Sequence, residues 1–130
     1  MALRDKIALG MSLPHRSPDP IEVAVVRNVA QRAEALGFAD LWVTNNTLDR
    51  EANCFDSLTL LSYAAALTST IRLGVSVLVL PTYNPIHVAH QVATLDYLSG
   101  GRAVLGVGLA CSHPAIGPAR MLGPLSSAHS

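Results

Sequence analysis

Four short apolar segments recur at nearly constant intervals along this 130-residue chain. They begin near Ile7, Asp40, Ile71 and Arg102, which are 33, 31 and 31 residues apart, and a helical pattern fills each interval. Regular strand–helix–strand spacing of this kind predicts crossover connections between parallel strands of one sheet. We therefore predict an α/β fold made of parallel βα units, with four strands and three helices.

The hydrophobic pattern and the turn residues set the bounds of these elements. The predicted strands cover residues 7–12, 41–43, 71–80 and 103–107. In the first helix we expect Asp19 as N-cap, Pro20 as the first helical residue and Gly37 as a left-handed C-terminal cap. The apolar stripe of that helix is predicted to comprise Ile21, Ala24, Val25, Val29, Ala33 and Leu36.

The other two helices have equally clear start signals. The second is predicted to begin at Asp56 or Ser57 and to end at Leu67. In the third, Asn84 is expected to be the N-cap and Pro85 the first helical residue, with the helix running to about residue 98.

Parallel βα units fit both a TIM-type barrel and a doubly wound sheet. A doubly wound nucleotide-binding sheet should carry the motif G-x-G-x-x-G after an early strand. The first turn, residues 11–15, has no glycine, and the late pair Gly106 and Gly108 is followed by Cys111 where the third glycine belongs. The barrel is therefore favoured. A complete barrel needs eight units and about 250 residues, so the chain is predicted to form about half of a (β/α)8 barrel.

Domain boundaries follow from where the βα pattern ends. We predict a partial βα-barrel domain over residues 1–111. Residues 112–130 are predicted to be an irregular or disordered tail, because prolines and glycines interrupt every helical window there.

Composition limits the partners and the compartment. Nine basic residues balance nine acidic ones, and Lys6 is the only lysine. A neutral chain lacks the electrostatic footprint of a protein that binds nucleic acid or anionic membranes. No targeting segment is recognisable, and two cysteines make neither a disulfide framework nor a zinc pattern. We therefore expect a cytoplasmic protein without a metal, and the lysine-poor, alanine- and valine-rich usage suggests a bacterial source.

Three segments of the chain together resemble the luciferase-like superfamily of flavin- or deazaflavin-dependent oxidoreductases. They occur in the expected order and at the expected spacing over a little more than half of the chain. The segments are Leu36–Val43, Ile71–Pro81 with Asn84-Pro85 following, and His90–Arg102 leading into Leu105–Gly108.

The resemblance implies a monooxygenase or related oxidoreductase that acts on a small-molecule substrate. Its cofactor would be FMN or, as the alternative, a deazaflavin of the F420 type, held at the C-terminal ends of the strands, where barrel active sites form. The residues that match the cofactor-binding positions are Asn45, Ser76, Val77 and Gly108. The resemblance also implies a non-proline cis peptide at Ser76-Val77.

The chain departs from the family pattern in two places. Deazaflavin-dependent relatives often end the second strand with an acidic residue and a histidine, where this sequence has Asn45 and Asn46. Asparagine can donate and accept hydrogen bonds but cannot shuttle a proton near neutral pH. Cys111 stands where some relatives have an acidic or aromatic site residue. Asn46 and Cys111 are the candidate catalytic residues, and a polar loop and a structural cysteine are the alternatives.

Four other side chains are of functional interest. His15 follows the first strand and so lies on the functional face of the predicted barrel, although a plain loop residue is the simpler interpretation. His87 and His90 could share a helix face, but a metal site would want a third ligand. Trp42 is predicted to belong to the core.

A non-catalytic half-barrel is the alternative function. An open four-stranded parallel sheet has unpaired edges and an uncovered apolar face. We therefore expect a homo-oligomer, and in this alternative the chain folds only by self-association or with a partner chain.

Overall fold

The structure, a computed structural model, describes residues 7–45 and 52–109. Four strands of one sheet and three α-helices alternate there in the predicted order, and two short strands occur in the loops. The elements are β1 (Gly10–Ser12), β2 (Arg16–Ser17), α1 (Val23–Ala35), β3 (Asp40–Val43), β4 (Asn53–Cys54), α2 (Ser57–Leu67), β5 (Arg72–Val79), a 3-10 helix (Leu80–Thr82), α3 (Pro85–Ser99) and β6 (Ala103–Gly108).

The main sheet has four parallel strands in the order β1-β3-β5-β6. Each strand is added on the same side of the one before it, whereas a doubly wound sheet reverses its order at a switch point. Helix α1 contacts α2, and α2 contacts α3, so the helices form one layer. The predicted α/β class with four parallel strands and three helices is confirmed.

The core lies between the sheet and the helices. Leu41, Val43, Leu73 and Val75 are buried there, and the residues between them in β3 and β5 point to the opposite side, as the two-residue period of a strand requires. We call that opposite side the open face of the sheet, because no helix of the described residues covers it.

Helices α2 and α3 begin as predicted. The Asp56 carboxylate accepts a hydrogen bond from the Thr59 N–H at 2.9 Å. The Asn84 side chain accepts from the Ile86 N–H at 2.9 Å, and Pro85 is the first helical residue. Both bonds satisfy N–H groups that a helix start would otherwise leave unpaired.

The predicted start of α1 is wrong. Asp19 is not its N-cap: the Asp19 N–H donates to the Ser17 hydroxyl in a local turn, and the helix begins at Val23. Such a turn competes with helix formation. Glu22 precedes the helix without a side-chain capping bond. Gly37 has the predicted left-handed conformation, with φ of 81°.

The predicted apolar stripe of α1 is correct in part: Ala33 is buried, and Ile21 and Val29 are partly buried against the core, whereas Ala24 is exposed. The buried residues are Val26, Ala30 and Ala33, whereas Leu36 is 70% exposed and Val25 is exposed too. The predicted stripe and the buried row both have helical spacing, because valine and alanine occur on all sides of this helix. Val26, Ala30 and Ala33 face the core, where small side chains allow close approach.

One feature of the described chain was not predicted. Strands β2 and β4 pair antiparallel, with Arg16 opposite Cys54 and Ser17 opposite Asn53. This small ribbon joins the loop after β1 to the loop after β3. Within the ranges that the structure describes, no helix is long and apolar enough to cross a membrane. The expected tail, residues 112–130, lies outside those ranges and stays a prediction.

Candidate functional site

The indole of Trp42 lies across the open face of the sheet. A Cβ atom added at Gly10 would lie 2.6 Å from its Nε1 atom, and one added at Gly74 would overlap the other end of the ring. Glycine in both neighbouring strands therefore leaves the room that the ring occupies. Trp42 is only partly buried, so the expectation that it belongs to the core does not hold in this part of the chain.

A cavity of about 360 Å³ opens beside this ring. It is lined by Ser12, Trp42, Val43, Thr44 and Ser76. These residues come from the C-terminal ends of β1, β3 and from β5, which meet at one edge of a parallel sheet. An apolar floor with a few hydroxyl groups is typical of sites that bind small molecules, and the volume falls within their range.

His15 and Thr44 form a hydrogen-bonded pair at the rim of the cavity. The Nδ1 atom of His15 lies 2.7 Å from the Leu13 carbonyl oxygen, and its Nε2 atom lies 2.6 Å from the Thr44 hydroxyl. The Thr44 N–H also donates to Nε2 at 3.3 Å. His15 is therefore held on both sides of its ring.

The β2–β4 ribbon fixes the backbone of this loop. Besides the ribbon pairing itself, the Phe55 N–H donates to the His15 carbonyl oxygen at 3.0 Å. The two loops that carry His15 and Thr44 are consequently joined to each other at the mouth of the cavity.

Asn45, a predicted cofactor-binding residue, is buried behind the rim. Its amide nitrogen donates to the Tyr83 hydroxyl at 2.7 Å, and its amide oxygen accepts from the Val79 N–H at 3.3 Å. The side chain therefore ties the end of β3 to the end of β5 and to the segment before α3.

The other three predicted cofactor-binding residues lie along β5 and β6. Ser76 lines the cavity, and the peptide bond Ser76-Val77 is cis, as expected. Val77 is half-exposed and lies against Gly108, where an added Cβ atom would be 2.6 Å from Val77 Cγ2. The structure thus brings Ser76 to the cavity and sets Val77 and Gly108 beside each other.

The two candidate catalytic residues, Asn46 and Cys111, lie outside the described residues. His87 and His90 are on the exposed side of α3. In the described ranges, no group of three or more histidine, cysteine, aspartate or glutamate side chains could hold a metal ion.

A second cavity of similar size lies between α1 and α2, in the helix layer. Val26, Phe55, Leu60 and Tyr63 are among its lining residues. Its polar residues Asp56 and Thr59 are bonded to each other at the start of α2. The cavity at the strand ends is the better candidate site because its hydroxyl groups come from several strands.

The N-terminal ends of the strands, opposite the cavity beside Trp42, carry charged groups that stabilise the fold. The Asp40 carboxylate accepts two bonds from Arg72, at 2.6 and 3.1 Å. The Arg102 guanidinium donates to the carbonyl oxygens of residues 65, 68, 71 and 99. A positively charged side chain that donates to the carbonyl oxygens at the C-terminal end of a helix stabilises that helix. These contacts hold the ends of the elements together.

Sequence reasoning missed Thr44 and undervalued His15 and Trp42. The signal for Trp42 was present, since a glycine stands in each predicted neighbouring strand. The His15–Thr44 contact joins residues 29 positions apart in the chain, so spacing alone could not reveal it.

Comparisons with known proteins agree with this geometry. A sequence profile described as "Luciferase-like monooxygenase" matches residues 7–117. The chain is 35% identical over 80 residues to the 4-hydroxyprotoasukamycin monooxygenase of Streptomyces nodosus subsp. asukaensis. The aligned segment covers 62% of this chain and 22% of that protein. The chain spans about a quarter of the length of the relatives it matches.

Two solved structures share the fold. One is the oxygenating constituent of 3,6-diketocamphane monooxygenase from Pseudomonas putida, in complex with FMN, with a TM-score of 0.70 and 20% identity over 80% of this chain and 30% of that one. The other is the coenzyme F420-dependent tetrahydromethanopterin reductase of Methanopyrus kandleri, with a TM-score of 0.64 and 31% identity over 78% of this chain and 27% of that one.

Both structural neighbours are TIM-type barrels, which agrees with the predicted architecture. The family profile covers most of the chain, including every described strand and helix. The chain therefore belongs to the luciferase-like monooxygenase family.

Proposed function

We propose that this chain supplies one half of an oxidoreductase site that holds a flavin-type ring and a small-molecule substrate at the C-terminal ends of its strands. The observation that carries the proposal is the cavity beside Trp42, with hydroxyl groups from Ser12, Thr44 and Ser76 around an aromatic floor. A planar ring with an apolar face and a polar edge suits such a lining. When bound, the ring supplies the electron-transfer chemistry.

The residues of the chain have separate tasks in this proposal. Trp42 offers an apolar surface and excludes water, and Ser76 and Thr44 offer hydrogen bonds at the rim. Asn45 holds the ends of β3 and β5 in register through Tyr83 and Val79. Asn45 is thus a positioning residue, while Val77 and Gly108 shape the β5–β6 side of the site.

FMN is the proposed ring, with a deazaflavin of the F420 type as the alternative. The names of the similar proteins support both, since one neighbour was solved with FMN and the other depends on coenzyme F420. The neutral, cysteine-poor composition supports a cytoplasmic location in a bacterium as part of the same proposal. Neither nucleic acid nor a membrane surface is a proposed partner.

Equilibrium dialysis with FMN and with the deazaflavin tests the proposal. We expect saturable binding of one of the two. Ser76→Leu should weaken it at least tenfold, because the longer side chain would occupy the cavity. His90→Ala, on the exposed side of α3, is the matched control and should bind like the unchanged protein. A folded chain that binds neither ring, or a Ser76→Leu variant that binds as well as the unchanged protein, contradicts the proposal.

A non-catalytic, self-associated half-barrel is the second candidate function. Among the described residues, no strand pairs with the outer edges of β1 and β6. Leu105 and Val107 on β6 are 41% and 50% exposed. Burial of such an edge in a second copy of the chain would remove both the unpaired backbone groups and the apolar surface from water.

A further inference from the structure

The hydrogen bonds of His15 determine which ring nitrogen carries the proton. A carbonyl oxygen can only accept, so the Nδ1 atom, 2.7 Å from the Leu13 oxygen, must be the donor. A backbone N–H can only donate, so the Nε2 atom that receives the Thr44 N–H must be an acceptor. The imidazole is therefore neutral in this arrangement, with its hydrogen on Nδ1.

This tautomer in turn fixes the direction of the Thr44 hydroxyl. Its oxygen lies 2.6 Å from Nε2, and Nε2 has no hydrogen, so the hydroxyl must donate to the ring. A hydroxyl group has one hydrogen and two lone pairs. Thr44 is one of the residues that line the cavity, and with its hydrogen directed to His15 its Oγ1 atom can only accept a hydrogen bond from a ligand there, alongside any protein partner.

We propose that Thr44, oriented by His15, selects ligands that present an O–H or N–H donor over ligands of the same shape that present only an acceptor. A ketone oxygen placed at Thr44 Oγ1 would meet another acceptor, whereas an alcohol would donate to it. The substrate class at this rim is accordingly a neutral, largely apolar alcohol or a comparable N–H compound. Thr44 is the specificity-determining residue and His15 the positioning residue.

The surrounding structure keeps this arrangement in place. The ribbon of β2 and β4 and the Phe55 N–H hold the His15 backbone, and the Leu13 oxygen holds its ring. The Ser57 hydroxyl donates to the Thr44 carbonyl oxygen at 3.1 Å, so Thr44 is fixed from the side of α2. The acceptor at the rim, Thr44 Oγ1, is therefore held in place by the contacts of His15 and Thr44.

This inference deepens the proposed function and rests on it for the use of the cavity, but its test needs no cofactor. Cyclohexanol and cyclohexanone have nearly the same size, and only the alcohol can donate. Trp42, the only tryptophan of the chain, lines the cavity and reports occupancy by its fluorescence. Both dissociation constants are measured on the full chain at pH 8, and their ratio is the readout.

We expect the alcohol to bind about fivefold more tightly, the effect of one neutral hydrogen bond. Thr44→Val should abolish the preference by weakening alcohol binding alone, and Thr44→Ser should retain it. In His15→Phe the Thr44 hydroxyl is released to donate, so ketone binding should strengthen and the preference should disappear. His15→Gln should restore it, because an amide oxygen can accept in place of Nε2.

The inference is overturned if the ratio is the same in Thr44→Val or in His15→Phe as in the unchanged protein, or if neither probe binds. Imidazole nitrogen chemical shifts add a readout that is independent of binding: the His15 signals must show the hydrogen on Nδ1. FMN binding is measured on the same samples. Alcohol preference without FMN binding would contradict only the flavin proposal, and FMN binding without the preference would contradict only this inference.

Discussion

The partly buried side chain of Glu34 connects three elements of the fold. Its Oε1 atom accepts hydrogen bonds from the N–H groups of Ser69, Thr70 and Ile71, at 2.8, 2.6 and 3.0 Å, and from the Thr70 hydroxyl. Partial burial acts to raise the pKa of Glu34, but these bonds outweigh it and lower the pKa from 4.5 to about 2. The carboxylate therefore fastens α1 to the turn between α2 and β5.

Glu34→Gln should destabilise the protein at neutral pH by about 1–2 kcal/mol, the low part of the range for bonds to a charged group because solvent screens the site. The folded-state pKa lies below the ordinary value. The stabilisation is thus present above about pH 4.5 and is lost as the pH falls towards 2. Urea unfolding at pH 7 and pH 3 measures the difference. Glu22→Gln, which removes no capping bond, is the control, and an equal loss at both pH values would contradict this account.

Gly74 should be the least replaceable residue beneath the Trp42 ring. Gly74→Ala places a methyl group where the ring lies, so we expect a loss of about 1–3 kcal/mol, as for other overpacked sites. In a Trp42→Leu background the same change should cost less, because the ring is gone. A double-mutant cycle by urea unfolding gives the coupling between the two positions. Strictly additive effects would show that the ring does not need the glycine.

The helix caps differ in a way that a pair of variants can test at the scale of the element. Asp56→Ala removes the bond to the Thr59 N–H at the start of α2 and should cost about 1 kcal/mol. Asp19→Ala, at the cap that the sequence predicted but the structure does not contain, should change stability by less than about 0.5 kcal/mol. Thermal unfolding of both variants measures these losses of stability. A larger loss for Asp19→Ala would favour the predicted N-cap at Asp19 over the helix start at Val23.

Local signals account for most elements that the sequence predicted correctly. Asn84-Pro85 and Asp56 act on N–H groups two or three residues away, and β5 is apolar enough on both sides to be recognised as a buried strand. The predicted start of α1 was wrong because a Ser17 turn forms there, and its buried face was predicted only in part because two apolar rows have the same helical spacing. At the site, Ser76 could be identified from the family pattern, whereas the His15–Thr44 pair depends on tertiary contact.

At the scale of the whole molecule, the edges of the sheet determine whether the chain associates with other copies of itself. Strands β1 and β6 are outermost, and β6 exposes Leu105 and Val107. We expect dimers or higher oligomers at micromolar concentration, because association would cover both edges. Sedimentation velocity measures this. Leu105→Lys with Val107→Lys should shift the protein towards monomer, and the exposed pair His87→Lys with His90→Lys is the control. A monomer in the unchanged protein would contradict the self-associated half-barrel.

The central claim is that the strand ends around Trp42 form a flavin site. The most direct measurement is quenching of Trp42 fluorescence by FMN, because this is the only tryptophan and it lines the cavity. We predict saturable quenching whose midpoint agrees with dialysis and shifts to higher FMN concentration in Ser76→Leu. FMN that binds by dialysis but leaves Trp42 emission unchanged, or a folded chain that FMN does not quench at saturating concentration, would contradict the claim.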